Sequence, residues 1–317
     1  MSRLILIPQY PAKLRYQEWW HRKFPIELSG YFDEVVSISG YDKDIVDAEM
    51  ADAGEFSSAS NAIKWELNQI HKYMEMVIHE DDKILLNDLS FPGLFANVLF
   101  HKRPGNDNIF AICHATSKNE YDLFSLDVVP KYGVEESVAK LFTKIFVATE
   151  YHKNKLGWDN IEVIPFPLPT VNKYTNNPRR NLICSVARDT FQKRTKHIED
   201  SVEKYFGTTI VRRDSKSWEE YYDLLQTSKI LIITSKEETY GYQVIEAVMN
   251  GCIPVAPYDY SYPELLPKKC LYRNFRELIS IIDKIIKGEI TLPNLKVYDQ
   301  AEKFYNNIFY SIMNENK

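Results

Sequence analysis

The chain lacks the marks of several common function classes. Its 317 residues include four cysteines, Cys113, Cys184, Cys252 and Cys270, and no two are close enough for a CxxC pair. No His/Cys cluster has zinc-ligand spacing, so a structural zinc site has no support. Neither GxxxxGK[ST] nor GxGxxG occurs, which leaves kinase and dehydrogenase readings without a motif. No apolar run is long enough to cross a bilayer. The opening "MSRLILIPQYPAKLRYQEWW" is interrupted by Gln9 and Pro11, unlike a signal peptide. There is no internal repeat and no low-complexity tract. Positive charge is not in excess, since the formal net charge is −5. That argues against a general coat for nucleic acid and leaves room for a local basic patch. Three of the cysteines lie in apolar runs, which predicts buried thiols and a reducing, cytoplasmic setting.

What is present is a soluble globular composition, 44% hydrophobic and 26% charged, with length for two domains. Short Val/Ile/Leu runs alternate with stretches of helical periodicity. One set comprises 3–8, 34–39, 83–88, 108–114, 144–150 and 161–166, and a second 181–187, 208–213, 229–235 and 252–257. Continuous apolar strands alternating with helices predict parallel sheets covered on both faces. The segment "PFPLPTVNKYTNNPRR", rich in Pro and Asn, resets the pattern and reads as the linker. The expected domains are 1–170, 171–298 and a closing helix at 299–317 that packs back on the first domain. Its apolar positions are Phe304, Ile308, Phe309 and Ile312.

The most informative stretch is "SKEETYGYQVIEAVMNGCIPVAP", from Ser235 to Pro257. A strand over 229–235 delivers a loop, and a helix runs from about Tyr242 to Asn250, stopped by Gly251. A glycine-containing loop at a helix N-terminus presents N–H groups, here of Tyr240, Gly241 and Tyr242, to a phosphate. Glu238 lies on the loop and Glu246 about one turn into the helix. One acid can therefore reach groups on either side of a diphosphate, and ionised carboxylates suit sugar hydroxyls.

This stretch resembles the signature of retaining GT-B glycosyltransferases, above all glycosyltransferase family 4. Glu238, Gly241, Glu246, Ala247, Gly251 and Pro254 stand in register with that pattern. The resemblance implies two Rossmann-like α/β domains whose parallel sheets face each other across a cleft. It implies that Glu238 contacts the donor sugar and Glu246 the nucleotide ribose. Arg188 and Lys193 hold the places of the family's two cations, for a donor diphosphate and the charge that develops on it. The family usually has Gly after that Lys. Arg194 stands there instead, which leaves open whether Lys193 or Arg194 makes the contact.

In the first half, His114 ends a strand at a place where the family often carries a histidine facing the donor sugar. It is either such a residue or a hydrogen-bonded structural histidine. His152 and His197 are expected on helix surfaces. Where many family members have a Gly-rich turn, this chain has "PQYPAKLRYQEWWHRKFP". Its aromatics and bases, with Lys13, Arg15, Tyr16 and Trp19 foremost, read either as an acceptor surface or as a helix that buries Trp19 or Trp20. Asp88 and Phe91 are further candidates for the acceptor side. Asp42-Lys43-Asp44 spells a DxD but reads as surface, and no metal ligand is expected.

The combined expectation is a retaining, metal-independent glycosyltransferase, a hexosyl- or pentosyltransferase. It needs no cofactor and takes a nucleotide-diphosphate sugar as donor. The acceptor is a glycan or lipid-linked hydroxyl, with peripheral membrane attachment as one setting. An alternative acceptor is a hydroxymethylated base in phage DNA. A different class of answer is a non-catalytic nucleotide-sugar-binding protein or a GT-B epimerase.

Overall fold

Runs of Ile, Leu and Val that lack alternating polarity become parallel strands, the central ones buried on both faces and the edge strands partly exposed. The computed structural model describes residues 2–11, 15–40, 59–89, 95, 108–120, 131–167, 179, 181–187, 193–213, 217–295 and 303–314. The chain divides into two compact units. One comprises Met1–Ala148, Lys153–Pro167 and Glu302–Lys317, and the other Thr149–His152 and Leu168–Ala301.

The first unit contains β1 (Arg3–Ile7), α1 (Tyr16–Arg22), α2 (Phe24–Leu28), β2 (Glu34–Ser37), α3 (Ala59–Glu75), β3 (Lys83–Leu86), β4 (Ile109–Ile112), α4 (Lys131–Ala139) and β5 (Lys144–Val147). After α5 (Glu150–Leu156) comes β6 (Ile161–Val163). Its sheet has the order β2-β1-β3-β4-β5-β6, all parallel. Side chains alternate between faces along each strand. Ile5, Ile7, Ile84, Leu86, Ile109, Ala111, Ile145 and Val147 therefore form one core, with Tyr73, Phe95, Phe142 and Trp158.

Trp20 and Phe24, from the aromatic first segment, are fully buried. They meet Phe304 at ring-centroid distances of 5.9 and 6.0 Å. Phe304 opens the last helix, Phe304–Asn314, which buries Phe304, Ile308 and Ile312 at i, i+4 and i+8. Ser311 of that helix donates to Glu162 at 2.6 Å and accepts from Lys144 at 3.1 Å, on β6 and β5.

The second unit runs β7 (Asn181–Ser185), α6 (Lys196–Phe206), β8 (Val211–Arg212), α7 (Trp218–Thr227), β9 (Ser228–Ile232), α8 (Tyr242–Met249), β10 (Ile253–Pro257), α9 (Tyr262–Leu265), β11 (Leu271–Tyr272) and α10 (Phe275–Ile286). Its parallel sheet has the order β11-β10-β9-β7-β8. The two-residue edge strand β11 was not anticipated; β8 is equally short but falls within the longer run 208–213.

Arg179 ties this unit together at the start of β9. One guanidinium nitrogen donates to the carbonyls of Leu225, Gln226 and Ser228, and the other to those of Asn250 and Gly251. These carbonyls gather where α7 and α8 end. Helix C-termini leave such groups unsatisfied and carry partial negative charge.

Two further expectations meet the structure here. His152 is buried rather than on the surface, since it shares the inward face of α5 with Leu156 one turn on. His197 is exposed. All four cysteines are buried and free. Asp42, Lys43 and Asp44 lie outside the described residues, and among those described no helix is long and apolar enough to cross a membrane.

Candidate functional site

In the second sheet β7 and β9 are neighbours although β8 lies between them in sequence. Connections leave these strands in opposite directions, which opens a crevice beyond their carboxyl ends, where open parallel sheets bind ligands. Residues 193–195 and 233–241 occupy that crevice. They are stitched together: Thr195 N–H donates to Thr234 Oγ1 at 2.9 Å, and Thr195 Oγ1 to the Thr234 carbonyl at 2.7 Å. Ser235 Oγ donates to the Lys193 carbonyl at 3.2 Å.

Lys193 Nζ lies 3.3 Å from Glu238 Oε2 and 3.3 Å from the Glu237 carbonyl. Glu238 Oε1 faces the N–H groups of Thr239 and Tyr240 at 3.2 and 3.5 Å. This carboxylate thus shapes its own loop and faces a cation. Arg194 points elsewhere. It donates to Glu199 Oε2 at 2.8 Å, and the same buried carboxylate accepts from Arg212 at 3.0 Å and Ser185 at 2.9 Å. Of the two adjacent cations, Lys193 is the one at Glu238, and Arg194 braces α6.

Gly241 opens α8 with φ +102° and ψ 49°, a left-handed conformation, and as a glycine it offers the helix no side-chain cap of its own. A Cβ at Gly241 would stand 2.9 Å from Leu265 Cδ1. Tyr240 is buried, and Tyr242 crosses its ring edge-on at 4.9 Å. Ser261 Oγ donates to the Tyr240 carbonyl at 3.0 Å, which holds the turn against α9. Gly251, at φ +71°, ends the helix as its position implied, with Cys252 N–H bonded back to the Ala247 carbonyl at 2.8 Å.

Glu246 is 5% exposed on the inner face of α8. Its oxygens accept from Tyr221 at 2.6 Å and Tyr222 at 3.3 Å, both on α7. Arg213 lies over the Tyr221 ring at 4.8 Å. Burial pushes the Glu246 carboxyl up to about 7, against the two tyrosine hydrogen bonds and Arg213, which pull it down. Sequence spacing placed Glu246 but could not find the two tyrosines, which stand 25 and 24 residues before it.

A pH dependence follows. The folded pKa of Glu246 lies above the ordinary 4.5. Its contribution to stability is therefore complete below about pH 4.5 and is lost as pH rises through about 7. The loss amounts to about 3 kcal/mol. Glu246→Gln, which cannot ionise, should be more stable than the wild type at pH 8 and close to it at pH 5. Urea unfolding at the two pH values tests this, and an equal offset at both would contradict it.

In the first unit His114 stands two residues past β4. Its ring packs against Tyr16 at 4.6 Å, Trp20 at 5.0 Å and Phe166 at 4.8 Å. Arg15, Tyr16, Trp19 and Asp88 are half-buried. It is Trp20, not Trp19, that enters the core. Arg188, Lys13 and Phe91 lie outside the described residues. Two residues that sequence reasoning passed over stand at strand ends of this unit, Gln9 and Asn87. Both are buried polar amides directly after apolar runs, and that signal was present in the sequence.

No protein-family model matches the chain. The tRNA-queuosine alpha-mannosyltransferase of Drosophila melanogaster is 32% identical over 96 residues, 30% of this chain and 24% of that protein. The alignment thus spans about a quarter of that relative. Solved structures match along nearly the whole length. The lipopolysaccharide outer core galactosyltransferase WaaB has a TM-score of 0.65 at 16% identity, covering 99% of this chain and 98% of its own. Sucrose-phosphate synthase from Thermosynechococcus elongatus has 0.61 at 12%, covering 100% and 96%. Anabaena HepE, in complex with UDP and glucose, has 0.61 at 12%, covering 100% and 97%. The chain therefore has the fold of GT-B glycosyltransferases, with two parallel-sheet α/β units.

Proposed function

We propose that the chain is a retaining glycosyltransferase that moves a sugar from a nucleoside-diphosphate sugar to an acceptor hydroxyl. The observation that carries this reading is the Lys193–Glu238 pair at the β7/β9 crevice, beside a helix start opened by the left-handed Gly241. A lysine and a helix N-terminus together suit a diphosphate. Lys193, with Arg188, supplies the counter-charge, and N–H groups from Tyr240 to Tyr242 line the phosphate. Glu238 exchanges the ammonium for hydroxyls of the donor sugar. Each Glu246 oxygen has a second lone pair for a ribose hydroxyl while the tyrosines hold the first.

In the reaction the bond between the anomeric carbon and the phosphate oxygen breaks. The acceptor oxygen bonds to the same carbon on the same face, and its proton passes to the departing phosphate. Lys193 steadies the negative charge that grows on that phosphate.

The names of the structural neighbours, a galactosyltransferase and a protein bound to UDP and glucose, make UDP-hexoses the first donors to test. A ligand that binds the folded state raises its stability by mass action, about 2.7 kcal/mol at a hundred times its Kd. A thermal-shift series with UDP, GDP, UDP-glucose, UDP-galactose and GDP-mannose should show a rise for one nucleotide family. No rise with any nucleotide would overturn the donor assignment.

A second reading concerns the acceptor alone. The Drosophila relative is named for a modified nucleoside in tRNA. That favours a hydroxyl carried by nucleic acid, hydroxymethylated DNA included, over a glycan or lipid-linked hydroxyl. Binding of tRNA or such DNA would then weaken steeply with salt and with loss of Lys13, Arg15 and Arg22. Absence of retention at low salt would return the acceptor to glycans or lipids.

A further inference from the structure

The first sheet has its own switch point. β1 and β3 are neighbours with β2 outside them, so their carboxyl ends also flank a crevice. Ile7 and Leu86 are register partners, and Asn87 N–H donates to the Ile7 carbonyl at 2.9 Å. Gln9, two residues past β1, and Asn87, directly past β3, therefore stand at the carboxyl ends of adjacent strands. Gln9 is 5% exposed and Asn87 0%. All four polar side-chain atoms of these amides are buried and meet no hydrogen-bond partner among the described residues.

Other amides of this unit find partners, although Gln17 Oε1 finds none among the described residues. Gln69 Nε2 donates to the Pro8 and Ile38 carbonyls, each at 2.7 Å. Asn160 Nδ2 donates to the carbonyls of Ala139 at 2.9 Å and Phe142 at 2.8 Å. Native proteins hold few buried polar groups without partners, because desolvation is then uncompensated. Two such amides together, where this kind of sheet binds ligands, call for a ligand that completes them.

We propose that Gln9 and Asn87 seat a neutral, hydroxyl-rich part of the acceptor, a vicinal diol on a sugar, cyclitol or similar ring. The proposal rests on the glycosyltransferase reading. An amide offers an acceptor oxygen and an NH2 donor with no charge, and a hydroxyl both donates and accepts. Adjacent parallel strands lie about 4.8 Å apart, which is within the span of one ring. Asp88, next to Asn87 and half-buried, disfavours a phosphate or carboxylate there. His114 leaves β4, the next strand, and its packed rings of Tyr16, Trp20 and Phe166 give this end of the sheet an apolar wall.

The test uses the full chain with UDP present. Saturation-transfer NMR titrations with methyl α-D-glucopyranoside and myo-inositol are compared with glucose 6-phosphate and glucuronate. The neutral probes should bind the wild type more tightly than the charged ones. Their Kd should weaken at least tenfold in Asn87→Leu and in Gln9→Met. Tm should stay level or rise, because unpartnered amides give way to apolar groups, and the UDP-induced shift should be unchanged. If Asn87→Leu does not fold, Gln9→Met carries the same comparison. The proposal is overturned if neutral probes do not bind the wild type, if both variants bind them as the wild type does, or if the charged probes are preferred. Loss of the UDP shift in the wild type would instead overturn the donor reading, so the two failures are distinct.

Discussion

Glu238→Ala is expected to lower sugar transfer by about 10²–10³-fold, the scale seen when one preorganised contact to a reacting group is removed. The nucleotide should still bind within a few-fold. Glu238 has two parts to play under the proposed function. It faces Lys193 at 3.3 Å and receives the N–H groups of Thr239 and Tyr240. Alanine removes both, so part of any loss could come from a disordered loop. Glu238→Gln separates them, since its carbonyl oxygen can still accept from the loop N–H groups while the charge beside Lys193 is gone. A larger defect in transfer than in UDP affinity for both variants, with the donor chosen from the thermal-shift series, supports contact with the sugar. Unchanged transfer by Glu238→Ala would refute its assigned role.

Arg179→Ala should cause the largest loss of stability, about 3–5 kcal/mol. The guanidinium serves five carbonyls from the ends of α7 and α8 and the start of β9. Its removal leaves several half-buried acceptors unsatisfied at once, beside the negative ends of two helices. Arg179→Lys should recover only a part, because an ammonium cannot present the planar fork that reaches both groups. Denaturant unfolding, followed by a probe in the second unit, measures the effect. A change within about 0.5 kcal/mol, as for an ordinary surface site, would show that these contacts are not held in solution. The arginine is remote from the crevice residues in its contacts, so ligand affinity below the unfolding transition should be unaffected.

The architecture was legible in the one-dimensional pattern, because a strand buried on both faces must be apolar throughout. All ten expected runs contain a strand, and among the described residues Leu271–Tyr272 is the strand that no run announced. The stretch from Ser235 to Pro257 was equally legible. Its loop, left-handed glycines and helix stop depend on neighbours within a few residues.

Residue partnerships behaved otherwise. Spacing could not say which of Lys193 and Arg194 pairs with Glu238. The decision lies with Glu199, whose buried carboxylate draws in Arg194 and Arg212 and leaves Lys193 to Glu238. Glu246 was identifiable as an acid at the right interval, but its raised pKa and its tyrosine partners come from a neighbouring helix. Trp20 and Phe24 could be seen as aromatic, yet the ring that receives them, Phe304, comes from the far end of the chain. Periodicity and turn chemistry act over a few residues and survive in the linear order. Charge pairing, desolvation and the closing of a core join residues that are distant in that order, and only the folded chain assigns them.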